Sequence, residues 1–404
     1  MPNAPKRILL SLALTTFCFV NAVAQQASLS WVNDHALSIN NDDKYLRYLV
    51  DQLKGNAILG LGEASHGTHE FSVEKNHIVQ YLIANAGYKS IGFEFGYTKM
   101  AAINNYLQTG KGDLKNLMVD LRLFNTKEMF DLFQSIKVYN DSHMVKEKVI
   151  LFGFDNDFFK VDNDSSAVYC LNYLHQHPDV YIRGKAAIPV LKRLNTPEVN
   201  NIYELSDEER ATLAYLNNEV EAKGGSVANF SAEFKKRISL LYQGTLLSNP
   251  LARDEFMAQN LAEFQQGNKL KTIIWGHNVH LAKDTTMAQC KGMGYYVRQK
   301  YKKQYYVVGF DTFKGSVNVL DDDKFVADRF EAQPASFSAL FAQAKVPAFF
   351  INLDKATGPL YNKSNYITNL FANLGNMRRL PMRPGIDFDA LIFIKETTPT
   401  TVLN

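Results

Sequence analysis

The 404-residue chain is poor in cysteine, with three, and in tryptophan, with two. Cys18 lies in an apolar stretch near the start, which leaves Cys170 and Cys290 for the folded body. One bond between them is possible in an oxidising compartment, but two thiols cannot staple a protein of this length, so the fold has to rest on its core. Long apolar runs are also missing: Ile8 to Val20 falls short of the roughly 20 residues a helical span requires, and no later segment reaches that length. Neither sign of charge dominates. Lys and Arg total 44 against 41 for Asp and Glu, a formal +3, and the basic residues are interspersed with acids along the chain, which argues against a nucleic-acid partner. No repeat or low-complexity linker cuts the sequence. A Gly-x-Ser-x-Gly elbow and a His-Glu-x-x-His helix are both absent, so neither an elbow serine nor a zinc-protease helix is supported.

Among what is present, Lys6 and Arg7 precede the apolar stretch and Ala22-Val23-Ala24 follows it in a small-x-small pattern. That arrangement predicts a secretory leader over 1–24, cleaved near Ala24, and an exported product in the periplasm or the medium. The remaining body over 25–404, with 46% hydrophobic residues in the chain, suffices for a large core. Seven short apolar runs stand out: Ala57 to Leu61, Ser90 to Phe95, Val149 to Phe154, Thr272 to Trp275, Tyr305 to Phe310, Ala348 to Ile351 and Ala390 to Ile394. Continuous runs of this kind suit strands buried on both faces of a mostly parallel sheet with helices on either side, an α/β fold. After Gly67, the residues Phe71, Ile78 and Leu82 recur at helical spacing until Gly87 stops the pattern. The polar stretch over about 160–250, broken at Pro178, Pro189, Pro197 and Gly224-Gly225, reads as a helical insertion over the carboxyl ends of the strands.

Polar or charged residues stand at the ends of these runs: Glu63, Asp155, His277 and Asp311 come after four of them, and Glu94 lies within a fifth, near its end. In open α/β sheets, ligands bind outside the carboxyl ends of the strands, so such groups can share one crevice. Aspartate after a strand is commonly an Asx-turn or helix cap, the plainer reading for Asp155 and Asp311. Glutamate is a poorer cap, which favours a functional reading of Glu63 and Glu94. Gly62-Glu63-Ala64-Ser65-His66-Gly67-Thr68-His69 sets an imidazole three residues after a carboxylate in a glycine-flanked turn. A carboxylate beside an imidazole orients it and makes it more basic, as activation of water requires, and the helix start that follows offers N–H groups to an oxyanion. Trp275-Gly276-His277-Asn278-Val279-His280 places two histidines at i and i+3, which converge only if the backbone turns there. Lys75 falls on the apolar stripe of the helix after Gly67, and an ammonium directed inward calls for an acid such as Glu63 or Glu94.

These residues resemble the erythromycin-esterase-like family. The likeness is carried by Gly62-Glu63-x-Ser65-His66 with Lys75 in the next helix, Gly92-Phe93-Glu94-Phe95-Gly96, Asn104-Asn105-Tyr106 with Gly110, Tyr139-Asn140 and Phe152-Gly153-x-Asp155. Further on come Arg253-Asp254-x-x-Met257-Ala258-x-Asn260, Trp275-x-His277-Asn278-x-His280 and Met293-Gly294. The resemblance implies a carboxylic-ester hydrolase that opens a lactone ring by water attack, on a macrolide or another small-molecule ester. It makes His66 the general base, Glu63 its partner, and Glu94, His277 and His280 further catalytic residues. Lys75, Asp155 and Trp275 are expected to contact substrate. Lys75 stands where the macrolide esterases carry arginine, which keeps the charge but loses the planar fork. No cofactor is expected to be required. If a divalent metal is present instead, His66, Glu63, Glu94, His277 and His280 are the candidate ligands, for hydrolysis of another bond. A non-catalytic binder of a polyketide or envelope glycan is the remaining alternative.

Overall fold

Each central strand divides its side chains between two cores. In β2 (Ile58–Leu61), Leu59 and Leu61 enter one apolar cluster and Ile58 the other; in β5 (Lys271–Trp275), Ile273 and Trp275 join the first and Ile274 the second. The first residues of β6 (Tyr305–Asp321) split likewise, Tyr306 and Val308 against Tyr305 and Val307. Successive side chains point to opposite faces, so a strand covered on both sides must be apolar throughout, and that produces the unbroken runs in the sequence.

In the computed structural model the described residues are 25–39, 43–156, 160–196, 204–222, 230–247, 249–321, 324–353, 358–371 and 378–403. The leader expected over 1–24 and the breaks at Pro197 and Gly224-Gly225 lie outside them. The other strands are β1 (Leu37–Ser38), β3 (Tyr88–Gly96), β4 (Ile150–Asp155), β7 (Lys324–Glu331), β8 (Ala348–Asn352), β9 (Asn365–Thr368), β10 (Arg379–Met382) and β11 (Ala390–Thr397). The main sheet runs β1-β8-β11-β6-β2-β5-β3-β4, with β7 also on β6. From β11 to β4 neighbouring strands are parallel. β1 and β8 at one edge are antiparallel, as is β7, and β9 and β10 form a separate pair.

All seven predicted runs are strands, and the sheet is mostly parallel with helices against it. Three features were not predicted. β6 continues past Phe310 to Asp321 and pairs with β7, because Val317, Val319, Phe330 and Leu370 make a small cluster of their own beyond the sheet. β8 runs against β11, since direction is fixed by connections and not by a local pattern. The helices α1 (Lys160–Gln176), α2 (Asp207–Glu221) and α3 (Ala232–Thr245) pack around a third core including Cys170, Leu213 and Phe234. Tyr97 and Thr98 at the end of β3 tie them to the sheet through Glu233 and Arg237. They attach just past the carboxyl end of β3, but none of their described residues lines the cavity at the crevice. No helix among the described residues is long and apolar enough to cross a membrane.

β2 and β3 are connected in sequence yet separated by β5, so the strand order parts at the centre and opens a crevice at their carboxyl ends. The second core includes phenylalanines packed edge-on and tilted against one another. Phe393 is fully buried, with Phe341 and Phe349 at ring distances of 5.7 and 5.4 Å. Phe393→Ala is expected to cost about 3–5 kcal/mol, measured as a lower urea midpoint at unchanged slope.

Candidate active site

The turn after β2 is shaped by backbone contacts that exclude a side chain. A Cβ on Gly67 would lie 1.9 Å from the Asn318 carbonyl oxygen, and one on Gly62 would lie 2.1 Å from Asn278 Oδ1. Asn278 bonds Phe310 in both directions, Nδ2 donating to its carbonyl and Oδ1 accepting from its N–H, and its own N–H donates to the Glu63 carbonyl, so the turns after β2 and β5 are locked to each other and to β6. Glu63 and His66 are presented on this frame.

Glu63 is buried, and each of its oxygens has a partner. Oε1 meets His66 Nδ1; Oε2 accepts from Lys75 Nζ at 2.5 Å and from Trp275 Nε1 at 2.9 Å. Burial by itself would raise this carboxyl, but Lys75 and then His66 outweigh it and hold it at about 2. Burial pulls the Lys75 ammonium down to about 8 although Glu63 supports its charge. The ammonium also lies 4.4 Å from the Trp275 ring centroid and 5.5 Å from that of Phe310. For His66, burial opposes the charged form, but the bond to Glu63 and the charges of Glu63 and Glu94 prevail and raise its pKa.

A second carboxylate–imidazole pair stands on the other side of β5. His277 caps α4 (Asn278–Leu281), which turns the chain so that His280 comes back toward β3. His280 Nδ1 lies 2.8 Å from Asp254 Oδ1 and its Nε2 3.3 Å from Glu94 Oε1. Burial disfavours its charge, yet Glu94 and Asp254 win and raise its pKa. Glu94 accepts from Arg253 Nη2 at 3.1 Å and from the His277 N–H at 2.7 Å. Burial would raise the Glu94 carboxyl, but His280, His66 and Arg253 keep it well below the usual range. Arg253 also grips Asp155, with Nη2 to Oδ2 at 2.6 Å.

Between the pairs opens a cavity of about 770 Å³ whose walls include His66, Glu94, Asp155, Arg253, His277 and His280. Its apolar lining comes from Phe95, Leu121, Leu123, Phe124, Leu320 and Phe371. No described residue of the helical insertion contributes. The 3₁₀ segment Val119–Phe124, the end of β6 and Phe371 take the covering role expected of it.

The expected catalytic residues are thus gathered at one crevice, with corrections of placement. Lys75 and Trp275, expected to touch substrate, are fully buried behind Glu63 and reach no cavity wall. The α-helix start after the turn is not open to an oxyanion: the Gly67 N–H goes to Ser65 Oγ and the His69 N–H to the Thr398 carbonyl. His277 stays neutral, pushed to about 3 by burial and by His66. Its Nδ1 accepts from the Val279 N–H, and its Nε2 lies 3.2 Å from the Ala64 carbonyl, so it forms wall rather than a free donor. Asp155 lines the cavity, but Arg253 claims it. Asp311 is buried and does not line the cavity, but it is neither an Asx-turn nor a helix cap: it lies within β6, which continues past it, and accepts from Ser338 and the Thr368 N–H, a structural role across distant segments. Among the described residues no three His, Cys, Asp or Glu side chains converge as metal ligands. The five conditional ligands do not fit a metal centre as they stand, because both glutamates are engaged by cations.

Arg253 and Asp254 went unassigned in the sequence as site residues. Their only signal was the Arg253-Asp254 pair within the family-like motif, at the start of α5 (Pro250–Asn268).

A model of one protein family, described as erythromycin esterase, matches residues 83–397. The chain belongs to the erythromycin esterase family. The putative hydrolase YbfO of Bacillus subtilis is 24% identical over 419 residues, covering 92% of each chain. A crystal structure of a Bacillus cereus protein superposes with a TM-score of 0.80 at 25% identity, covering 94% of this chain and 99% of that one. A mutant of the erythromycin esterase EreC in its open conformation gives 0.68 at 15% identity, covering 90% and 96%, and shares the fold.

Within this erythromycin esterase fold, removing one partner of a buried ion pair leaves the other uncompensated. Lys75→Met is expected to lower stability by about 3–5 kcal/mol at neutral pH. Glu63, depressed from 4.5 to about 2, contributes stability that is complete above 4.5 and lost as pH falls through 2. The deficit of the variant, followed by denaturant unfolding, should therefore shrink as pH drops across that window.

Proposed function

We propose that this hydrolase cleaves a small-molecule ester or lactone by direct attack of water, with His66 as general base. The observation that carries the reading is the His66 imidazole, fixed to buried Glu63 through Nδ1 while its ring lines the cavity. The contact at Nδ1 supports one tautomer: an ionised Glu63 can only accept, so Nδ1 keeps its proton toward it and Nε2 is left to accept one from water. Glu63 stays ionised because Lys75 and Trp275 hold its other oxygen, so these two position the base without meeting substrate.

The reaction then divides between the two pairs. His66 Nε2 takes a proton as the water oxygen bonds the acyl carbon, and the carbonyl becomes an oxyanion facing Arg253 and His280. As the carbon–oxygen bond to the leaving alcohol breaks, the His280 imidazolium, whose charge Glu94 and Asp254 favour, gives it a proton; His66 then releases to solvent the proton it took from water and His280 takes one up, which restores the site. The product is the substrate plus one water. The apolar lining suits a bulky hydrophobic acyl chain or ring, and the family name supports macrolides as the first substrates to test. In this reading the protein is exported, acts without a required cofactor, and meets substrate outside the cytoplasm.

Incubation with a panel of macrolides and simple esters, followed by mass spectrometry, should reveal a gain of one water. His66→Ala should lower turnover by about 10²–10⁴; a variant with normal turnover on a verified substrate rules out the assignment. Asp254→Asn removes a charge that sustains protonated His280, so the alkaline limb of kcat/KM should move to lower pH while the acid limb, set by His66, stays in place. An unmoved alkaline limb would remove His280 from the acid role.

A further inference from the structure

The amino ends of the central strands carry a feature that the linear sequence conceals. Pairing places Tyr305, Ile58, Thr272, Ser90 and Ile150 in one row across β6, β2, β5, β3 and β4. Every one of these strands is led in by lysine. Lys302 and Lys303 precede β6, Lys54 precedes β2, and Lys269 and Lys271 flank the start of β5. Lys89 opens β3, and Lys146 and Lys148 come just before β4. All are exposed except Lys89 and Lys148, which are half-buried. Four strand spacings of about 4.8 Å give this basic row a breadth of about 19 Å.

Among the described residues only Lys54 of this group has a carboxylate partner, Asp51. The partners of the others are neutral: Lys148 Nζ donates to the Gln108 carbonyl, and Lys271 Nζ donates to that of Ala86. The whole chain carries only +3, so this face is balanced by acids elsewhere, including those at the catalytic crevice on the opposite ends of the same strands. Helix dipoles favour cations at helix ends and account for part of the row, since Lys302 and Lys303 lie in a 3₁₀ turn that follows the helix Met293–Tyr301, but Lys271 lies past the end of its preceding helix and opens β5. The backbone adds a separate indication. Lys269 has φ 53° and Lys302 φ 52°, conformations that glycine adopts far more readily, yet lysine holds both positions.

We propose that this face docks the protein on an anionic phospholipid surface, with the catalytic cavity turned toward solvent. An array of ammonium groups spread over the ends of five adjacent strands matches a plane of headgroups, whereas a polyanion chain calls for a groove, and no lysine of the row lines the cavities at His66, Thr98 or Glu255. No step of the proposed hydrolysis depends on it.

Co-sedimentation of the full chain with vesicles of equal phosphatidylglycerol and phosphatidylcholine should show binding at low salt that weakens at high salt and is absent on phosphatidylcholine alone. Reversal of four lysines of the face, Lys269→Glu, Lys271→Glu, Lys302→Glu and Lys303→Glu, should weaken partition at least about a hundredfold. A control with equal net charge, Lys185→Glu, Lys192→Glu, Lys324→Glu and Lys345→Glu, should bind nearly as wild type. Thermal unfolding of both variants reports that they fold. If the face variant is unfolded, Lys271→Gln with Lys303→Gln supplies the same comparison with a smaller loss. Equal weakening by the two sets, binding to duplex DNA but not to vesicles, or no binding to anionic vesicles would each overturn the proposal.

Discussion

The site depends on one buried charge balance: Glu63 kept ionised inside the protein by Lys75. Burying a carboxylate and an ammonium costs more than their attraction commonly returns, unless the remaining bonds are satisfied. Here they are, by Trp275 Nε1 on one oxygen and His66 on the other. The resemblance to macrolide esterases places arginine where this chain has Lys75. A single ammonium cannot reproduce a bidentate fork; the Trp275 indole N–H fills the vacant direction, and the aromatic faces beneath Lys75 solvate what Glu63 does not. The substitution therefore alters how the base is held, not the surface that substrate meets.

From that balance follows the division of the crevice. With Glu63 anionic, His66 is oriented by a fixed charge; with Glu94 anionic between Arg253 and His280, the charged form of the second imidazole is favoured and its pKa is raised. His277, between the two, is driven neutral by burial first and then by His66, which it faces at a ring distance of 5.5 Å. These groups titrate as a coupled set, so a change at one shifts the others. Three imidazoles in one pocket thus have three environments, which is how a site places base and acid side by side at one pH.

Much of this was legible in the sequence wherever the cause was local. Strands buried on both faces announce themselves as apolar runs, and Lys75 declares its direction by sitting on a helical stripe with Phe71, Ile78 and Leu82. Glu63, Glu94, His277 and His280 could be placed at one crevice because each lies near the end of such a run or soon after it. What escaped depends on distant parts meeting. Trp275 was expected at substrate because it precedes the histidines, but the alternation of β5 turns it into the first core behind Glu63. The reversal of β8, the hairpin of β6 with β7 and the cavity roof are set by tertiary contacts. The lysines seemed dispersed because consecutive strands lie far apart in sequence, and only the sheet gathers their amino ends.

The most direct measurement of the central charge balance is a titration of the three cavity imidazoles by ¹⁵N NMR in the unliganded protein. The account predicts His66 with its proton on Nδ1 when neutral and a pKa above the ordinary 6.5, while His277 remains neutral throughout the range in which His66 titrates. A neutral His66 protonated at Nε2, or a His277 that gains its proton before His66 does, would contradict it.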